Sequence, residues 1–214
     1  MKPKRNIPIT IVTGLLGSGK TSLINHLLRN DCYRCQAVLV NDFGAEKLDM
    51  DIISLYGVVR LIQGCVCCSG RQALQDALRQ IIAITPAPEK ITIEASSVVD
   101  PCSIGAAMEI RELKNRVYVH QIINIVAADR ILTLKGEMAQ LAKMQLACAY
   151  LVIVNKIDLV SKGQLDRVLG WAHTLKPGLP VLTTSHGAVP LQYLLDKRSL
   201  DSSVSEEINH DEEP

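Results

Sequence analysis

The feature that most constrains this chain is the octapeptide GLLGSGKT at residues 14–21. It follows the apolar run IPITIVT (7–13), which reads as a strand, and opens KTSLINHLLRN (20–30), which reads as a helix. Leu23, Ile24, Leu27 and Leu28 fall on one face of that helix. The pattern G-x-x-x-x-G-K-[ST] between a strand and a helix suits one ligand chemistry. Gly14, Gly17 and Gly19 let the backbone N–H groups curl around phosphates, with Ser18 and Ser22 beside them. Lys20 reaches the outer phosphates, and the Thr21 hydroxyl holds Mg²⁺. The helix N-terminus adds the positive end of its dipole. A glycine-rich turn with an incidental lysine is the bland alternative, and the flanking elements oppose it.

Further apolar runs alternate with helical patterns. Strands are expected at 37–41, 90–96, 117–128, 150–156 and 179–185. Helices are expected at 71–83, 137–149 and 162–175, with Pro-Ala-Pro at 86–88 after the first of these. Buried strands separated by helices predict a parallel sheet covered on both faces. With 214 residues, 48% of them hydrophobic, one domain can bury a sizeable core. Residues 1–196 are expected to form it. Residues 197–214 turn polar and then acidic and read as a disordered tail.

VIVNKID (152–158) carries N-K-x-D at the end of an apolar strand. Asp158 can accept hydrogen bonds from N1–H and the 2-amino group of guanine, a donor pair adenine lacks. Asn155 would tie the loop together, and the stem of Lys156 would cover the base. TSHG (184–187) follows the last strand, where Ser185 and His186 can close over the base. Phosphate loop and base motif together predict an α/β fold: a three-layer P-loop NTPase G-domain with a mostly parallel central sheet, binding GTP and GDP. Glu94, ending the strand in ITIEASS (91–97), stands where a carboxylate meets Mg²⁺ directly or through water. Asp100 and Pro101 read as the cap and first residue of a helix.

The net charge of +1 shows no preference for nucleic acid or an anionic membrane. No run of about 18 apolar residues is present. The basic start MKPKRNIPIT lacks a long apolar stretch and is not read as a signal peptide. A cytoplasmic setting is expected. Seven cysteines, an odd count, then argue for reduced thiols rather than a disulfide framework.

Three of these thiols crowd into GCVCC (64–68): Cys65, Cys67 and Cys68. Soft thiolates suit Zn²⁺ and related ions. Three sulfurs leave a tetrahedral site one ligand short, an arrangement suited to handing an ion on. Packing as small hydrophobes and a redox pair remain open alternatives. Cys32 and Cys35 are read as a zinc half-site, a redox pair or surface residues. Cys102 and Cys148 are read as helix-packing residues.

GCVCC, the phosphate loop, VNDFGAEKLD (40–49), IEASS, VVDP, NKID and SHG occur in the order found in the CobW-like metallochaperone GTPases. Over residues 7–196 the chain resembles that family. The resemblance implies GTP hydrolysis coupled to delivery of zinc, or sometimes cobalt. It places the cysteine motif in a switch region, where nucleotide state alters metal affinity. Lys20, Thr21, Asp42 and Glu94 are the expected catalytic residues, Asp42 and Glu94 being candidates to orient the attacking water. The chain departs from the family at Val40 and Ala45, where glutamates are usual, at Ser97, where a glycine senses the γ-phosphate, and at Ala127, where an aspartate is common. It resembles a short form, without the family's C-terminal domain. A client metalloprotein or a separate client-recognition subunit is the expected partner, and a homodimer is compatible. Two rival readings are a non-catalytic GTP-dependent adaptor or metal buffer, favoured by Ser97, and an ATP-using kinase, opposed by NKID.

Overall fold

A computed structural model describes residues 6–29, 36–40, 70–85, 87–190 and 194. Six parallel strands form one sheet in the order β2-β3-β1-β4-β5-β6. They are β1 (Ile7–Thr13), β2 (Gln36–Val40), β3 (Lys90–Glu94), β4 (Val117–Ala127), β5 (Leu151–Asn155) and β6 (Val181–Thr184). The five described α-helices are α1 (Lys20–Leu28), α2 (Gly70–Ala83), α3 (Pro101–Ala107), α4 (Gly136–Cys148) and α5 (Lys162–Leu175). The expected α/β architecture therefore stands. The strands expected at 90–96 and 179–185 are shorter at their ends than their sequence runs, and α1 stops at Leu28.

Side-chain alternation assigns the layers. Val12, Ile123, Ile125, Leu151 and Ile153 meet Leu23, Ile24, Leu27 and Leu28 of α1 on one face. On the other face Ile9, Ile11 and Ile91 pack on Leu74, Leu78 and Ile81 of α2 and Ile104 of α3. Val126, Val152 and Val154 continue that face against Leu146 of α4 and Val168 of α5. Both faces of the central strands are covered, so these strands read as mainly apolar runs, broken by buried polar residues such as Thr92, Gln121 and Asn124 rather than by a regular polar alternation. The α2 side chains at 74, 77, 78, 81 and 82 are all buried, the spacing of one helical face.

Helix starts follow local chemistry. Asp100 caps α3 by accepting from the Cys102 N–H at 2.9 Å, with Pro101 first in the helix, as the sequence predicts. Ser161 caps α5 by accepting from the Gln164 N–H at 3.3 Å. One expectation fails. Cys102 and Cys148 are not the reduced thiols expected: they are joined in a disulfide, with Cα atoms 5.9 Å apart, while Cys148 also packs against the core as its helix-packing reading has it. The reason is tertiary. The start of α3 and the end of α4 meet across 46 residues of sequence, a meeting no local pattern encodes.

Among the described residues no helix is long and apolar enough to cross a membrane.

Candidate functional site

Because every strand runs the same way, the ends of β1, β3, β4 and β5 share one edge. Register places Val12 beside Glu94, Thr13 beside Asn124, Ala127 beside Asn155, and Asn155 beside Thr184. In parallel sheets this carboxyl edge is where ligands bind. Chain direction alone thus gathers residues that sequence separates widely.

The loop after β1 needs its glycines. Gly14, Gly17 and Gly19 have φ of 144°, 70° and 106°, which L side chains rarely adopt. A Cβ at Gly14 would collide with the Ile125 carbonyl oxygen, and one at Gly19 with the Asn155 amide nitrogen. Gly19 also precedes α1, whose start has no side-chain cap. The first N–H groups of the helix therefore suit an anion. Backbone cradle, uncapped helix and lysine together form a donor set that fits phosphate.

Lys20 is buried to 8% exposure and its ammonium is held among oxygens. It donates to the Gly14 carbonyl at 2.9 Å, the Leu15 carbonyl at 3.3 Å and the Ser97 hydroxyl at 2.8 Å. The next side chain, Thr21, donates its hydroxyl to Glu94 at 3.0 Å. Glu94, at 6% exposure, closes that side. Hydroxyl and carboxylate oxygens are the donors a hard cation such as Mg²⁺ prefers, so this pair fits the ion expected with a nucleotide triphosphate.

Asn155 links two loops. It is 2% exposed; its amide donates to the Ser18 carbonyl at 2.9 Å, and its carbonyl accepts from the Gly187 N–H at 3.1 Å. The phosphate loop and the SHG turn are thereby fixed relative to each other. Lys156 and His186 have φ of 63° and 58°. Such left-handed positions in non-glycine residues are sparse and cluster at functional sites. Asp158 lies exposed on a short 3₁₀ turn, Ile157–Leu159, on the rim of the same edge. His186 is exposed and Ser185 half-buried beside it. Ser22, in the first turn of α1, is also half-buried.

Lys20, Thr21, Glu94, Asn155, Lys156, Asp158, Ser185 and His186 are thus gathered on one edge. Asp42, Cys65, Cys67 and Cys68, with Cys32 and Cys35, lie outside the described residues.

Two contributors carry no motif. Gln145 of α4, buried, donates to the Ser97 carbonyl at 3.0 Å and lies 3.4 Å from that of Val99. It fixes the loop whose hydroxyl meets Lys20. Arg130 donates to the Gly17 carbonyl at 3.2 Å and covers the turn. Ser97 itself was legible only as a departure from a glycine; its bond to Lys20 needed the structure.

Comparison with known proteins points the same way. The chain is 30% identical to the zinc chaperone CobW of Pseudomonas aeruginosa over 91% of its own length and 61% of the relative. It is 27% identical to the zinc-regulated GTPase metalloprotein activator 1 of Saccharomyces cerevisiae, over 93% of this chain and 53% of that one. The chain therefore spans little more than half the length of these relatives. The zinc-bound YjiA GTPase of E. coli shares the fold, with a TM-score of 0.66, 22% identity, and coverage of 88% of this chain and 60% of that one. The sequence model of the CobW/HypB/UreG nucleotide-binding domain matches residues 8–183. With the phosphate loop, the Glu94 strand and the Asn155 loop all inside that span, the chain belongs to the CobW/HypB/UreG family of nucleotide-binding domains.

Proposed function

We propose that the chain binds GTP at the carboxyl edge of its sheet, hydrolyses it to GDP and phosphate, and uses nucleotide state to control uptake and delivery of a transition metal. Zinc is the first choice and cobalt the second. The observation that carries the reading is the joint placement of the Lys20–Thr21–Glu94 cluster and the Asn155-braced base loop on one edge. The names of the relatives support the metal and the activity.

In this reading the loop N–H groups and the Lys20 ammonium neutralise charge that spreads over the transferring phosphoryl oxygens. Thr21 and Glu94 hold Mg²⁺, which supplies further charge neutralisation when bound. Asp158 selects guanine, and Ser185 and His186 cover the base. Asp42 and Glu94 are the residues proposed to orient the attacking water. Cys65, Cys67 and Cys68 receive the zinc ion as cargo for a client metalloprotein, reached directly or through a client-recognition subunit. The setting is the cytoplasm.

The test is a zinc titration of the GTP-bound, GDP-bound and nucleotide-free chain. Different affinities in the three states are expected; equal affinities would reject coupling. One observation favours a second reading, a GTP-dependent adaptor that does not hydrolyse. Ser97 occupies Lys20 at 2.8 Å, where the family has a glycine. Single-turnover hydrolysis with and without zinc separates the two.

A further inference from the structure

Cys102 and Cys148 take no part in the nucleotide pocket, yet they are the best-placed soft ligands among the described residues. Cys102 is exposed in the first turn of α3. Cys148 ends α4, half-buried against the core. Asp100 stands between them: its Oδ1 accepts from the Cys102 N–H and lies 3.5 Å from the Cys148 sulfur. One ligand atom from each of the three falls within 4.8 Å of the other two.

The spacing has a chemical reading beyond a disulfide. A tetrahedral zinc ion with Zn–S near 2.3 Å and Zn–O near 2.1 Å sets its ligand atoms roughly 3.5–3.8 Å apart. The Asp100–Cys148 separation already meets that. The two sulfurs need only part by side-chain rotation once the bond between them is cut. The helix ends that carry them have holds other than the disulfide. Asp100 caps α3, and Gln145, one turn before Cys148, binds the carbonyl of Ser97 on the loop leading into α3. The exposed edge at Cys102 gives an ion a way in, and solvent can supply a fourth ligand.

We infer that Asp100, Cys102 and Cys148 form a second, redox-gated site for a thiophilic divalent cation, separate from the GCVCC motif. A dithiol reductant opens it. Its two thiols become a disulfide while the Cys102–Cys148 bond breaks, and two electrons and two protons pass to the protein sulfurs. The entering cation then displaces the two thiol protons. Oxidised, the pair excludes the ion; reduced, it holds one.

The test uses the full chain with Cys65→Ser, Cys67→Ser and Cys68→Ser, kept reduced with a phosphine and titrated with zinc against a chromophoric chelator. Uptake of zinc is expected to fall by one ion per chain when Cys148→Ser is added. Cys102→Ser, at an exposed position, should give the same loss and guards against a folding defect, which thermal unfolding monitors. Uptake unchanged by both substitutions overturns the inference, as does failure of the reduced parent to bind zinc at all. Because the GCVCC cysteines are absent from every arm, the outcome is independent of the cargo site proposed above.

Discussion

Replacing Asn155 with alanine tests whether the two loops are braced as described. The side chain makes two buried hydrogen bonds, to the Ser18 carbonyl and from the Gly187 N–H. Ser18 and Gly187 are themselves buried, so water does not readily replace the amide. An orphaned buried polar group costs about 1–3 kcal/mol. Two of them, with partial relaxation, give about 2–4 kcal/mol for Asn155→Ala. For a chain of this size each kcal/mol lowers the melting temperature by about 2–4 °C, so a fall of roughly 5–15 °C is expected. Urea unfolding followed by circular dichroism measures the free energy, and a fluorescent GDP analogue measures the loss of binding. Asn155→Asp sharpens the test. Its carboxylate can still accept from Gly187 but faces the Ser18 carbonyl, and burial would raise its pKa. Its stability is then lost as pH rises through that folded-state pKa and regained on acidification, as the protonated acid donates to Ser18. Asn155→Ala within about 0.5 kcal/mol of the parent, the usual range for an inert surface change, would refute the brace.

Three further outcomes are expected. Gly19→Ala combines a φ of 106° with a Cβ driven into the Asn155 amide; about 1–3 kcal/mol of strain should weaken GDP binding tenfold to a hundredfold, and unchanged binding would remove the steric argument. Asp158→Asn should shift preference from guanine toward xanthine nucleotides in competition binding, whereas an unaltered preference would show that Asp158 does not read the base. Lys176 donates to the Ala147 and Ala149 carbonyls at the end of α4, and burial lowers its pKa. Its charged form is disfavoured in the folded chain, so the unfolded state holds more protons just below the usual lysine range. The stability of the parent relative to Lys176→Met should therefore rise as pH climbs from 8 toward about 10. A difference constant with pH would contradict that.

What the sequence disclosed depended on how far apart the interacting residues lie. Gly14, Lys20 and Thr21 act within one strand–loop–helix unit, so their spacing alone exposed them. The strands were legible because burial on both faces makes them predominantly apolar runs. Asn155 was legible as part of N-K-x-D, but its partners Ser18 and Gly187 belong to other loops. Gln145 looks like any helix residue until α4 is laid against the loop at Ser97. The Cys102–Cys148 contact was misread for the same reason: 46 residues separate two helix ends that only the packed sheet brings together.

The bond between Lys20 and Ser97 has one more consequence. Any anion that recruits this ammonium must compete with a hydroxyl whose own backbone is gripped by Gln145. Filling the phosphate cradle would release that hydroxyl while the backbone carbonyl of the same residue stays bound to Gln145, 125 positions after Lys20. Residue 97 is thus a hinge point between ligand and scaffold, its hydroxyl free to exchange partners while its main chain is anchored on α4.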